Sequence, residues 1–167
     1  ISVSIDGDTV VVGAHGDDNF TGSAYVYVRS NGVWSEQAKL TASDGATIYQ
    51  FGISVSIDGD TVVVGAHGDD DNGSASGSAY VFVRSNDVWT EQAKLTASDG
   101  AGNDEFGYSV SIDGDTAVIG ACGDNSSSGS AYVYVRSNGV WSEQQKLTAS
   151  DDGAADDQFG VSVSIDG

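Results

Sequence analysis

A heptapeptide returns along this chain at a fixed phase. Ile1-Ser-Val-Ser-Ile-Asp-Gly comes back at Ile53, at Tyr108 and at Val161, at spacings of 52, 55 and 53 residues. The chain divides accordingly into repeats 1–52, 53–107 and 108–160, with 161–167 opening a fourth. Copies this alike must adopt one shared structure, and a unit this short has to bury its apolar faces against its neighbours. The copies differ mainly in two loops, Gly16–Thr21 and Gly45–Gln50 with their counterparts, as expected of a packed scaffold with variable connections. The chain opens with Ile1 inside a strand-like run and without an initiator Met, so it reads as a processed or truncated piece.

Each repeat reads as four short strands. Ser54-Val55-Ser56-Ile57 alternates small polar with β-branched residues, the period of a half-buried strand. Asp58-Gly59 supplies a tight turn. Thr61–Ala66 is continuously apolar and is expected to be buried on both faces. Ser78–Arg84 alternates Ala and Val with Tyr, Phe and Arg, and Asn31-Gly32, Asn86-Asp87 and Asn138-Gly139 mark the next hairpin. In the fourth strand the period places Trp89, Ala93 and Leu95 on one face. Four antiparallel strands per unit of about 50 residues is the pattern of a β-propeller blade, within a closed ring or an open superhelical array. The fold class is therefore all-β.

Composition supports this and removes several functions. The chain has 23 Gly, no Pro and no Met, and its 25 acids are mostly aspartate, so turn residues outnumber good helix formers. A net charge of -19 repels phosphate backbones and anionic headgroups, which argues against nucleic acid as a partner and against membrane insertion. One cysteine, Cys122, cannot make an internal disulfide.

Phe51-Gly52 leads to Gly65-Ala66, Phe106-Gly107 leads to Gly120-Ala121, Phe159-Gly160 opens the fourth copy, and Gly13-Ala14 closes the second strand of the first. These pairs resemble the FG-GAP repeat, the blade unit of integrin α-chain propellers and of many bacterial surface proteins. The resemblance covers essentially the whole chain. It implies an extracellular or cell-surface location and a role in adhesion or ligand binding. Two departures stand out. His15, His67 and Cys122 replace the proline of Gly-Ala-Pro, and the family's calcium loop is reduced to Asp6-Gly7-Asp8, Asp58-Gly59-Asp60 and Asp113-Gly114-Asp115. These are too short to wrap a cation that takes six to eight oxygens, so that calcium site does not carry over.

Other acids could pool around Ca²⁺, the only cofactor the sequence suggests. They lie after the second strand (Asp17, Asp18, Asp69, Asp70, Asp71, Asp124) and before Phe-Gly (Asp44, Asp99, Asp104, Asp151, Asp156); the alternative is a solvated acidic rim. His15, His67 and Cys122 share one slot, but equivalent positions stand about one sheet spacing, about 10 Å, apart, too far for a common transition metal. Asn19, Asn72 and Asn125 each begin an N-glycosylation acceptor triplet in the same variable loop. Trp34, Trp89 and Trp141, with Phe51, Phe106 and Phe159, are expected to pack between blades. No nucleophile–base constellation appears, so an enzyme is not expected. The leading reading is an extracellular structural repeat protein, a fibre or surface component partnered by copies of itself or further repeats of its chain. The second is an adhesion propeller that reads a cell-surface protein or glycan with its variable loops.

Overall fold

A computed structural model describes residues 2–150 and 154–167. Three four-stranded antiparallel sheets follow one another, none of them closed. Blade 1 contains β1 (Val3–Asp6), β2 (Thr9–Ala14), β3 (Ser23–Ser30) and β4 (Val33–Leu40). Blade 2 contains β5 (Ser54–Asp58), β6 (Thr61–Ala66), β7 (Ser78–Ser85) and β8 (Val88–Leu95). Blade 3 contains β9 (Phe106–Asp113), β10 (Thr116–Ala121), β11 (Ser130–Ser137) and β12 (Val140–Leu147). Short stretches at Asp17–Phe20 and Asp124–Ser127 coil for one turn, but Asp18, Asn19, Asn125 and Ser126 have positive φ, so these are turns in the variable loop.

The first hairpin differs by one residue from the sequence expectation. Asp58 pairs with Thr61, so the two-residue loop is Gly59-Asp60, with Gly59 at φ +53°. The shift leaves both flanking carboxylates free to act: Asp60 accepts from Arg84 Nε at 2.7 Å, and Asp58 accepts from the Gly114 backbone N–H of the next blade at 2.7 Å.

A second correction concerns the fourth strand. Val81 pairs with Ala93 but Phe82 pairs with Glu91, so Gln92 is an extra residue, a β-bulge. Identical bulges occur in β4 and β12. Because partners across a ladder share a face, the bulge separates Trp89 from Ala93 and Leu95. Trp89 joins Tyr80, Phe82 and Arg84, facing blade 1, while Ala93 and Leu95 join Ala79 and Val81, facing blade 3.

Both faces of the middle blade are thereby used. Between blades 1 and 2 lie Val11, Val26, Leu40 and Phe51 against Val62, Val64, Tyr80 and Phe82. Between blades 2 and 3, Val63, Val81 and Leu95 meet Phe106, Ile119, Tyr132, Tyr134 and Trp141. Burial of β6 is complete on both faces, as expected, whereas β2, with no blade before it, is buried only at alternate residues. Phe51 sits edge-on to Tyr80 and Phe82, and Phe106 sits edge-on to Tyr132 and Tyr134.

Polar bonds repeat the register. Ser2 and Ser4 accept from the Val55 and Ile57 backbone N–H groups, and Ser56 and Ser111 accept from those of Ile112 and Ile165. Alternation in the first strand therefore has a purpose: its serines tie each blade to the next.

Candidate functional site

Three lysines, one per blade, gather the acidic loops. Lys39, Lys94 and Lys146 occupy the same position in β4, β8 and β12. The arrangement is fullest in blade 2. Lys94 Nζ lies 2.7 Å from Asp44, 2.9 Å from Asp69 and 2.6 Å from Asp71. Asp69 and Asp71 come from the loop between β6 and β7, and Asp44 reaches across from the loop after β4. Oxygens of the three carboxylates lie within 4.8 Å of one another. Tyr80 Oη is 2.7 Å from Asp44 and 2.9 Å from Asp69, one hydroxyl shared between two carboxylates.

Blade 3 repeats the arrangement with fewer acids. Lys146 Nζ meets Asp99 at 2.7 Å and Asp124 at 2.6 Å, and Tyr132 donates to Asp99 at 2.8 Å. In blade 1 Lys39 pairs with Asp17 at 2.8 Å. Each ammonium also lies over a ring, of Tyr25, Tyr80 or Tyr132.

Electrostatics follow from the packing. Burial opposes the charge on Lys94, but the three aspartates outweigh it and hold its pKa above the ordinary lysine range. Burial works against Asp44 and Asp99 as well, yet Lys94 with Tyr80, and Lys146 with Tyr132, hold their carboxyls below the usual range. Asp17 is lowered to about 2 by Lys39, Tyr25 and Ser23. Asp104 goes the other way, pushed up by burial and by the neighbouring acids.

One hydroxyl stands out in this cluster. Ser130 donates to Asp124 at 2.5 Å, and Ser23 bonds Asp17. Ser78 holds the same place before Asp69, is fully buried, and its Oγ meets no partner among the described residues. The loop is also longer here: 11 residues separate β6 from β7, against 8 in each of the other blades. It is this longer loop that supplies Asp71. Without such a residue, the interface between blades 2 and 3 keeps a cavity of about 560 Å³, lined by Asp99, Asp104, Asp124, Asn125 and Lys146 among others.

The remaining expected residues are spread out. Asp70 takes a hydrogen bond from Tyr49, while Asp18 and Asp156 are exposed in turns at positive φ, and Asp151 lies outside the described residues. The structure thus brings Asp69 and Asp71 together with Asp44, and Asp99 with Asp124, but does not pool the whole set. Asn19, Asn72 and Asn125 are all exposed. His15, His67 and Cys122 do not form a metal-spaced group among the described residues; Cys122 donates to Glu105, and burial with that carboxylate pushes the thiol up to about 12. Trp141 is 9% exposed, Trp89 half-buried and Trp34, which packs on no preceding blade among the described residues, 40% exposed. Phe51 and Phe106 are fully buried, while Phe159 is 38% exposed. Sequence reasoning missed the lysines and tyrosines of these clusters. Their recurrence once per repeat, next to recurring aspartates, was the available signal.

Comparison with known proteins agrees with this architecture. A family model described as FG-GAP repeat matches residues 1–27, 34–82, 89–134 and 141–167. No curated protein matches the sequence. Among solved structures, a europium-containing methanol dehydrogenase is similar, with a TM-score of 0.52 and 9% identity over 84% of this chain. The match spans 24% of that enzyme, and at such identity it shows a shared β-propeller fold alone.

Proposed function

The chain belongs to the FG-GAP repeat family, and from that premise we propose that it is a non-enzymatic structural module of an extracellular repeat array. The observation that carries this reading is the correspondence of its two blade interfaces. Equivalent positions pack in each, Phe51, Val64, Tyr80, Phe82 and Trp89 in one and Phe106, Ile119, Tyr132, Tyr134 and Trp141 in the other, and equivalent Ser, Gln and Arg bonds cross each. Trp89 Nε1 donates to Gln37 and Trp141 Nε1 to Gln92, and the guanidinium groups of Arg84 and Arg136 donate to Thr9 and Thr61. An interface whose packing positions recur from blade to blade extends by addition of further copies.

The outer faces carry the two halves of that interface. Blade 1 presents Trp34, and blade 3 presents an apolar groove of about 310 Å³ lined by Val118, Ala131, Leu147 and Phe159. Further repeats of the same kind, from the same chain or from other copies, fit these faces. Reactive side chains are spent on equivalent structural contacts in successive blades, which favours a scaffold over an enzyme. Exposed Asn19, Asn72 and Asn125 suit glycan attachment on such an array.

A second reading, ligand binding in an adhesion protein, is favoured by the polar cavity between blades 2 and 3. It is a mixed lining of carboxylates, amide and ammonium, suited to hydrogen-bonding a small polar ligand.

Electron microscopy of the protein from its source separates the two. Continuous filaments whose axial repeat matches one blade, with density beside Asn19, Asn72 and Asn125, are expected. Discrete closed rings would overturn the array and turn attention to the cavity.

A further inference from the structure

We propose that the cluster between blades 1 and 2 is a divalent-cation site, suited to Ca²⁺, formed by Asp44, Asp69, Asp71 and the Ser78 hydroxyl. It goes beyond the structural reading above and does not depend on it. Three observations carry it.

Carboxylate oxygens from three aspartates lie within 4.8 Å of one another. Oxygens on opposite sides of a calcium ion are about 5 Å apart, so the three carboxylates, drawn around the Lys94 ammonium, already stand at the spacing such an ion takes. The donors are all hard oxygens, which favours calcium over softer transition metals.

Charge is the second observation. Lys94 is the sole ammonium contacting three carboxylates, which leaves two negative charges uncompensated in a chain already at -19. A divalent cation in the place of the ammonium compensates two of the three carboxylate charges, where Lys94 compensates one. The Lys94 side chain is 18% exposed, so its head can withdraw towards water as the metal enters. Lys94 is then the ammonium that holds the loops together before the metal arrives.

Ser78 is the third. Its counterpart Ser130 bonds the equivalent Asp124, whereas Ser78 Oγ is buried with no partner among the described residues. A buried unpaired hydroxyl is destabilising and calls for a water or an ion beside it. It occurs only where the longer loop adds Asp71 as a third carboxylate. Asp69, fully buried, anchors the inner side, and Asp71 closes the outer.

Terbium luminescence, with Tb³⁺ standing in for Ca²⁺ and the nearby Tyr80 as sensitiser, tests the site on the whole chain. Saturable emission that Ca²⁺ displaces is expected. Asp71→Asn lowers the affinity by about tenfold or more, since it removes one full charge at contact distance. Ser78→Ala weakens it less, Lys94→Met strengthens it, and Asp156→Asn, an exposed acid elsewhere, leaves it unchanged. Circular dichroism confirms that each variant is folded. Absence of saturable emission from both the parent chain and Lys94→Met overturns the proposal. Equal affinity in the parent and Asp71→Asn does so too.

Discussion

Two glycines show how little room a blade boundary leaves. A Cβ on Gly65 would overlap the carbonyl oxygen of Gly107, and one on Gly13 would overlap that of Gly52. At both sites the Gly-Ala of one strand is pressed against the Phe-Gly that opens the next blade, and within blade 2 Gly52 N–H donates to Gly65 O at 2.9 Å. The opposing atoms are backbone and cannot turn aside. Gly65→Ala is therefore expected to destabilise the chain by about 3 kcal/mol through overpacking. Gly59→Ala, with open space around it but φ +53°, is expected to cost about 1 kcal/mol through backbone conformation alone. Urea unfolding of the two variants provides the comparison, and equal costs would remove the steric explanation of the Gly-Ala motif.

At the level of the strand, the bulge decides which blade each side chain serves. Without Gln92 the tryptophan and leucine of β8 would share a face, and one of the two interfaces would lose its large side chain. With it, Trp89 packs backward and Leu95 packs forward. The third hairpin follows a local rule instead: Asn86 and Asp87 adopt φ +50° and +63°, so the Asn-Asp pair takes the same left-handed turn as Asn-Gly in the other blades. Because Trp141 packs on a preceding blade and Trp34 does not, one substitution should have unequal effects. Trp141→Ala, at a site 9% exposed, is expected to cost about 3–5 kcal/mol. Trp34→Ala, at a site 40% exposed, should cost about 1 kcal/mol or less. Chemical denaturation measures both, and a large cost at Trp34 would mean that another molecule covers that face in solution.

Across the whole molecule, charge is handled by a few cations placed between blades. Six basic residues serve 25 acids, and the three lysines sit where loops of adjacent strands or adjacent blades meet. Acid should expose this dependence. The Asp17 carboxyl is lowered from 3.8 to about 2, and Asp44 and Asp99 are lowered as well, so their contribution is present above the unfolded value and lost as pH falls through the folded one. Asp104 has the opposite sign: its raised pKa makes the ionised form a cost at neutral pH, relieved on acidification. The urea midpoint is thus expected to rise slightly on leaving neutral pH and then to fall between 3.8 and about 2. In Asp104→Asn the initial rise should vanish. A midpoint that stays level through the acid range would show that the lysine clusters add nothing to stability.

Much of this protein follows from sequence alone, for a physical reason: strand period, turn residues and the recurring heptapeptide are local, and each is written in neighbouring residues. The four-stranded blade and the burial of Val62–Val64 both come from such local signals. The family resemblance, resting on Phe-Gly and Gly-Ala pairs, could be read the same way. The face each residue serves could not. One extra glutamine changes the parity of a strand, and only pairing with β7 reveals where it lies. The candidate site was half legible: Asp69 and Asp71 stood out as an acidic run, but Lys94 and Asp44, 50 residues apart in the chain, join them from either side. Bringing those charges together required two blades to stack. Whether an aspartate meets a lysine, a serine or water is decided by that packing, since the sequence sets the charges and only the tertiary structure sets the distances between them.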